Sequence, residues 1–94
     1  MYETMPDLKS GSTAYSEVYQ SLAEMGYYVP VGTPLVLQNK GSGSVNVQVR
    51  GTAPLANSSD GNLLMSYEYY VAARGTNRIW LRSGNKVGVQ VLVE

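Results

Sequence analysis

The sequence predicts a mainly β fold: a small antiparallel β-sandwich or barrel over residues 35–94, preceded by an N-terminal arm with one short helix. In two segments, residues 45–50 and 87–93, valines occupy every second position, which is the period of a half-buried strand. Gly-, Asn- and Ser-rich turns interrupt the second part of the chain at the short spacing typical of all-β domains. The length of 94 residues suffices for one domain.

Residues 1–34 are predicted to form an arm that leads into the body. Residues 1–12 show no clear period, so we interpret them as an extended or mobile segment that orders on a neighbouring chain. Residues 27–34 contain Pro30 and Pro34, which disfavour a helix and predict a stiff connector.

One short helix is predicted at about residues 13–25. Ser12 or Thr13 is the predicted N-cap, and Gly26 is the predicted residue that ends the helix. Apolar side chains recur at spacings of three and four and so share one face: Ala14, Val18, Leu22 and Met25. This face packs either on the body or on another chain, and the sequence leaves both alternatives open.

Five or six short strands are predicted in the body. Gly75 and Thr76 predict a tight turn that pairs the two segments around it as a hairpin. Residues 51–55 are at best an edge segment because Pro54 interrupts them, and residues 57–62 are predicted to be a loop. The predicted strands are residues 35–38, 45–50, 67–73, 77–82 and 87–93.

The composition argues against catalysis and against a bound cofactor or metal. The chain has no His and no Cys, so the usual general base, thiolate ligands and disulfides are absent. Residues 41–44 are Gly-rich but lack the Lys and the following helix of a phosphate-binding loop. Asp60 alone supplies too few carboxylate oxygens for calcium. We therefore predict a protein that is not an enzyme and that takes no cofactor.

Charge and hydropathy bear on the partners. The formal net charge is +0, with −3 over residues 1–39 and +3 over residues 40–94. This asymmetry favours contacts between copies of the chain and is too weak to predict nucleic-acid binding. No apolar run approaches a membrane span, and the first residues do not resemble a secretory signal, so we expect synthesis in a cytoplasm. A body of 60 residues buries a small core, so we predict a homo-oligomer.

Candidate partner-binding residues are aromatic, apolar or arginine side chains. Arg78, Trp80 and Arg82 share one face of a strand if Ile79 and Leu81 point inward. Arginine beside tryptophan permits cation–π stacking, and both residue types are enriched at interface hot spots. The alternative is that Trp80 faces the core or lies under the helix.

Further candidates lie on the predicted helix and on the tyrosine-rich strand. Tyr15, Tyr19 and Leu22 belong to the helix stripe, and Tyr70 belongs to the strand. Tyr67, Tyr69 and Val71 share the other face of this strand. Tyrosine suits a surface that is apolar on one side and wet on the other. Aromatic side chains on this strand and at Trp80 also allow a glycan-binding module as an alternative function.

The order of features from residue 35 to the end resembles small β-rich modules in virion proteins of tailed bacteriophages. An apolar strand ends in Asn39 and a Gly-rich turn follows, and then come alternating valines and a loop at Asp60 and Gly61. A tyrosine-rich strand, the segment 79–83 and the last valines complete the order.

This resemblance implies a structural role in a virion, as a capsid decoration or cement protein or as a head-fibre protein. It also implies a homo-oligomer, expected to be a trimer, that contacts other virion proteins such as the major capsid protein. The arm would attach the chain to the particle. An adaptor at the head–tail junction is a further alternative.

Overall fold

The computed structural model describes residues 1–93, and over this range the chain forms eight strands and one helix. The elements are β1 (Tyr2–Lys9), β2 (Ser16–Glu17), α1 (Val18–Glu24), β3 (Leu35–Asn39), β4 (Val45–Val49), β5 (Asn62–Leu64), β6 (Tyr69–Ala72), β7 (Ile79–Arg82) and β8 (Lys86–Leu92).

The strands form two antiparallel sheets of four strands each. Sheet I has the order β1-β8-β3-β6, and sheet II has the order β2-β7-β4-β5. Alternate side chains of each strand point into the space between the sheets, so that β3 and β8 bury every second residue. The predicted small β-sandwich is therefore confirmed.

The core draws on the whole described chain. Residues 1–34 contribute five of its buried apolar side chains, so they pack together with the body and do not lie beside it as a separate arm. Within residues 1–93 the core comprises Leu8, Val18, Tyr19, Leu22, Val29, Leu35, Leu37, Val45, Val47, Leu64, Ala72, Ile79, Leu81, Val87, Val89 and Val91.

The segment predicted as a mobile arm is strand β1. It pairs antiparallel with β8, and the main-chain groups of Met1 and Val93 exchange hydrogen bonds at its start. The register shifts between Met5 and Leu8, where an irregularity accommodates Pro6. Such a bulge interrupts the two-residue period, which is why the sequence pattern did not predict a strand.

The helix is shorter than predicted, and its N-cap residue differs from the predicted one. Residues Ser16 and Glu17 form β2, and Glu17 is the N-cap in place of Ser12 or Thr13. The helix packs on β1, β2 and β7 of its own chain. Gly26 follows the helix with φ +94, the left-handed conformation that was predicted to end it.

The predicted hairpin across Gly75 is wrong. β6 pairs with β3 in sheet I, whereas β7 pairs with β4 and β2 in sheet II, so the turn at Gly75 carries the chain from one sheet to the other. The amide of Gly75 donates to the Gly32 carbonyl at 2.9 Å, which holds this crossing against the connector. A short strand that was not predicted, β5, begins at the last residue of the predicted loop 57–62 and pairs with β4.

Candidate functional site

The predicted stripe of Arg78, Trp80 and Arg82 lies on the outer face of sheet II. Ile79 and Leu81 are buried, so the expected alternation along β7 is confirmed. The face is covered by the chain itself, because the loop that follows β4 folds back over it. The indole N–H of Trp80 donates to the carbonyl of Arg50 at 3.0 Å. The Trp80 side chain is half-buried.

Arg82 stacks on tyrosine and not on tryptophan. Its guanidinium carbon lies 5.0 Å from the centre of the Tyr15 ring, and the guanidinium donates to the Ala56 carbonyl. The Tyr15 hydroxyl donates to the Ser58 carbonyl at 2.6 Å and accepts from the Gln48 amide at 3.1 Å. Tyr15 and Arg82 therefore hold the loop onto the sheet.

Arg78 pairs with the buried carboxylate of Glu17 at 3.2 Å. Glu17 is only 3% exposed, and it also accepts from the amides of Tyr19 at 3.0 Å, Gln20 at 2.8 Å and Ile79 at 3.2 Å. The Glu17 carboxylate thus accepts hydrogen bonds from amides in the first turn of α1 and from an amide of β7, and it joins the two elements. Sequence analysis missed this role because Glu is not among the residues preferred at N-caps.

Tyr19 and Leu22 are buried in the core, so their side chains do not form part of a partner-binding surface. The Tyr19 hydroxyl donates to the Thr33 carbonyl at 2.7 Å and so joins α1 to the connector. Burial raises the pKa of the Tyr19 phenol, and the negative charge of Glu17 raises that pKa further. Tyr70 is half-buried and packs against the core from β6.

A more exposed surface lies at the edges of the two sheets, where β5 of sheet II leads into β6 of sheet I. Every second residue here is a large apolar side chain that is more than half exposed. We call this set the apolar strip, and its members are Leu63, Met65, Tyr67, Tyr69 and Val71.

Tyr67 starts the part of the strip that belongs to sheet I. It has φ +62, a left-handed conformation that is strained for a side chain of this size. Its amide donates to the Asn39 carbonyl at 2.8 Å, while the Asn39 amide donates to the Glu68 carbonyl at 3.1 Å. Two residues of this segment thus oppose one residue of β3, and the resulting bulge sets the orientation of the strand that follows.

The side chains of Tyr69 and Val71 stand on the outer face of β6. They are 64% and 65% exposed, whereas Ala72 between the sheets is buried. Sequence analysis had recognised that Tyr67, Tyr69 and Val71 share one face of a strand. Which face points outward follows only from the pairing of β6 with β3.

Two of the concave surfaces on the molecule bear on its function. An apolar groove of about 480 Å³ runs between the connector and the end of β8, and Tyr28, Pro30 and Val93 are among its lining residues. A smaller depression of about 140 Å³ lies on the outer face of sheet I over Gly88, next to Tyr69. The ion pair of Lys40 with Asp7, at 2.9 Å, borders this depression.

Within residues 1–93, no group of His, Cys, Asp and Glu could hold a metal ion. Every buried side-chain nitrogen or oxygen of the described residues has a hydrogen-bond partner. Across the same part of the chain, no helix has the length and hydropathy of a membrane span.

Comparisons with protein-family models, with curated proteins and with solved structures found no match.

Proposed function

We propose that this chain is a structural component of a tailed-phage particle, of the capsid decoration or head-fibre type, and that it acts through non-covalent contacts with other chains. The observation that carries the proposal is the apolar strip, whose side chains are more than half exposed. Exposed apolar patches are typical of interaction sites, and these five side chains occupy consecutive alternate positions of one chain segment.

The contrast with the rest of the surface supports this proposal. The stripe on β7, which the sequence favoured, makes its contacts within the chain through Glu17, Arg50 and Ala56. These internal contacts favour the strip on β5 and β6 over the β7 stripe as the proposed contact surface. The phage context rests on the resemblance in the order of strands and turns.

Electron cryo-microscopy of purified particles, together with quantification of this chain by mass spectrometry, tests the proposal. We expect the chain on the particle surface at a copy number that matches the particle symmetry. A ring at the head–tail junction would instead favour the adaptor alternative. Absence of the chain from particles whose genome encodes it would contradict the proposal.

A glycan-binding module is the second candidate, favoured by one observation. Tyr69 stands exposed beside the depression over Gly88, and an exposed aromatic ring next to a concave surface is a suitable platform for a sugar ring. The original candidate Trp80 is less suitable, because its indole N–H is bonded to its own chain. A glycan array with Tyr69→Ala, and with Tyr28→Ala as control, separates the candidates: binding lost only in Tyr69→Ala favours the glycan function.

A further inference from the structure

We propose that strand β6 is an assembly site for a second copy of this chain: two β6 strands pair antiparallel across a two-fold axis at Tyr70 and join the two copies of sheet I. This inference rests on the proposed function, since it specifies how that function's self-contact is made.

The outward-pointing main-chain groups of β6 follow from the pairing of β3. The Lys40 amide donates to the Lys86 carbonyl of β8, and the Leu92 amide of β8 donates to the Pro34 carbonyl. The even-numbered residues of β3 and of the positions next to it therefore bond toward β8. The odd-numbered residues bond toward β6, as Asn39 does with Glu68.

In the β3–β6 register Leu37 lies opposite Tyr70, and Leu35 lies opposite Ala72. Tyr70 and Ala72 therefore use their main-chain groups in the sheet. The N–H and C=O groups of Tyr69 and Val71 point to the free side. In the described part of the chain no strand pairs with them there.

This alternation fits a two-fold axis through Tyr70. Antiparallel pairing about that axis places Tyr69 of each copy opposite Val71 of the other, so that each pair exchanges both of its hydrogen bonds. Tyrosine opposite valine is a favourable cross-strand pair, in which an aromatic ring meets a β-branched side chain. The same two residues that offer main-chain groups also present the most exposed side chains of the strand.

The charges at the two ends of β6 favour a second copy in this orientation. Glu68 precedes the strand and Arg74 follows it. Antiparallel pairing brings the Glu68 end of one strand to the Arg74 end of the other, whereas parallel pairing would bring like charges together. The formal net charge of +0 means that two copies approach without overall repulsion.

The other three sheet edges are unsuitable for such pairing. β1 contains Pro6 and an irregular register between Met5 and Leu8, which are devices that block edge pairing. β2 has two residues and runs directly into α1, and β5 has three residues. β6 carries neither a charge nor a proline among its four residues.

The pairing makes the basic unit a two-fold dimer, in place of the trimer that the phage resemblance implies. A four-residue strand offers a modest contact by itself. Tyr67 lies beside the paired strands and adds apolar surface to the same interface.

Sedimentation velocity over a wide concentration series tests the pairing with the wild-type chain, Val71→Lys and Tyr28→Lys. We expect the wild type to form a dimer and Val71→Lys to raise its dissociation constant by at least about tenfold, because a charge on an edge strand blocks pairing. Tyr28→Lys, at a residue that is 82% exposed elsewhere on the surface, should leave the dissociation constant unchanged.

Val71→Pro is a second variant that acts on the main chain. Proline removes the amide that faces the free side, and an edge strand tolerates this change. We expect a folded monomer by circular dichroism and sedimentation. The β6 pairing is refuted if the wild type stays monomeric. It is also refuted if the wild type dimerises and both Val71 variants dimerise with the same dissociation constant as the wild type.

The two failures are distinguishable. If the wild type dimerises and the Val71 variants do not weaken the dimer, the β6 contact is wrong, but the proposed structural role is unaffected. Absence of the chain from particles, with a Val71-dependent dimer in solution, contradicts the structural role in a particle and leaves the β6 contact standing.

Discussion

At the scale of single residues, buried polar side chains connect elements that are distant in the sequence. Asn39 is fully buried, and its amide nitrogen donates to Gly43 at 2.7 Å and to Leu64 at 3.1 Å. Its amide oxygen accepts from the Gly41 amide at 2.9 Å and from the Asn85 side chain at 3.3 Å. Asn39 therefore links β3 of sheet I to β5 of sheet II with all its hydrogen-bonding capacity in use.

Glu17 has a similar connecting role, and its removal provides a test. We expect Glu17→Ala to lower the free energy of unfolding by about 3 kcal/mol, because it leaves three amides and the Arg78 guanidinium without their acceptor. Chemical denaturation measures the change. The exposed Glu24 at the end of α1 is the matched control, and Glu24→Ala should change stability by less than about 0.5 kcal/mol. Equal effects of both substitutions would contradict the role of Glu17.

The raised pKa of Tyr19 predicts a loss of stability at alkaline pH. The folded chain keeps the phenol protonated at a pH where the unfolded chain releases the proton, so stability falls as pH rises above about 10. Below that pH, Tyr19→Phe should lower the free energy of unfolding by about 1 kcal/mol, because it removes the hydrogen bond to the Thr33 carbonyl.

Above about pH 10 we expect Tyr19→Phe to show a shallower decline of the free energy of unfolding than the wild type. Denaturant titrations across this range measure the slope. Tyr28→Phe, at an exposed position, should keep the wild-type slope. A decline in Tyr19→Phe as steep as in the wild type would count against the assigned cause.

At the scale of secondary-structure elements, sequence patterns succeeded where the two-residue period is unbroken. β4 and β8 were predicted because their valines alternate with other residues, and β3 was predicted because it begins with a short apolar run. β1 was missed because its bulge interrupts the period. The pairing of β6 with β3 was missed because local turn residues do not specify a distant partner strand.

The candidate site was predicted in part, for the same physical reason. Alternation along a strand correctly grouped Arg78 with Trp80 and Arg82, and Tyr69 with Val71. Alternation does not reveal what contacts a face. Here the loop after β4 bonds to Trp80 and Arg82, and Glu17 pairs with Arg78. Tyr69 and Val71 stay exposed. Burial of Tyr19 and Leu22 likewise depends on the packing of α1 against β1, β2 and β7.

The entry into β5 depends on a glycine. Gly61 has φ +91, and a Cβ atom there would lie 2.3 Å from the Val47 carbonyl oxygen. We expect Gly61→Ala to destabilise the fold by at least about 2 kcal/mol, since backbone strain and a main-chain clash combine. Gly84→Ala is the control, because a Cβ atom there meets open space among the described residues. Thermal unfolding compares the variants, and similar melting temperatures would refute this prediction.

At the scale of the whole molecule, the first residues complete the sandwich. β1 supplies Leu8 to the core and covers the edge of β8, while α1 packs against β1, β2 and β7. Because residues 1–34 share the core, oligomerisation cannot be inferred from a small body of residues 35–94. The proposal of self-association is based instead on the exposed side chains of β5 and β6.

Removal of residues 1–9 tests this integration. We expect the shortened chain to lose cooperative thermal unfolding, because it lacks Leu8 and exposes the edge of β8. Calorimetry and circular dichroism measure the outcome. An unchanged melting temperature would show that these residues act as the independent arm that the sequence suggested.

Residue-resolved amide hydrogen exchange by NMR, at low and high protein concentration, tests the central claim of self-assembly through β6 most directly. The amides of Tyr70 and Ala72 should be protected at both concentrations, because they bond to β3. Those of Tyr69 and Val71 should exchange rapidly when dilute and become protected as the dimer forms. Fast exchange of Tyr69 and Val71 in a sample that sediments as a dimer would contradict the account.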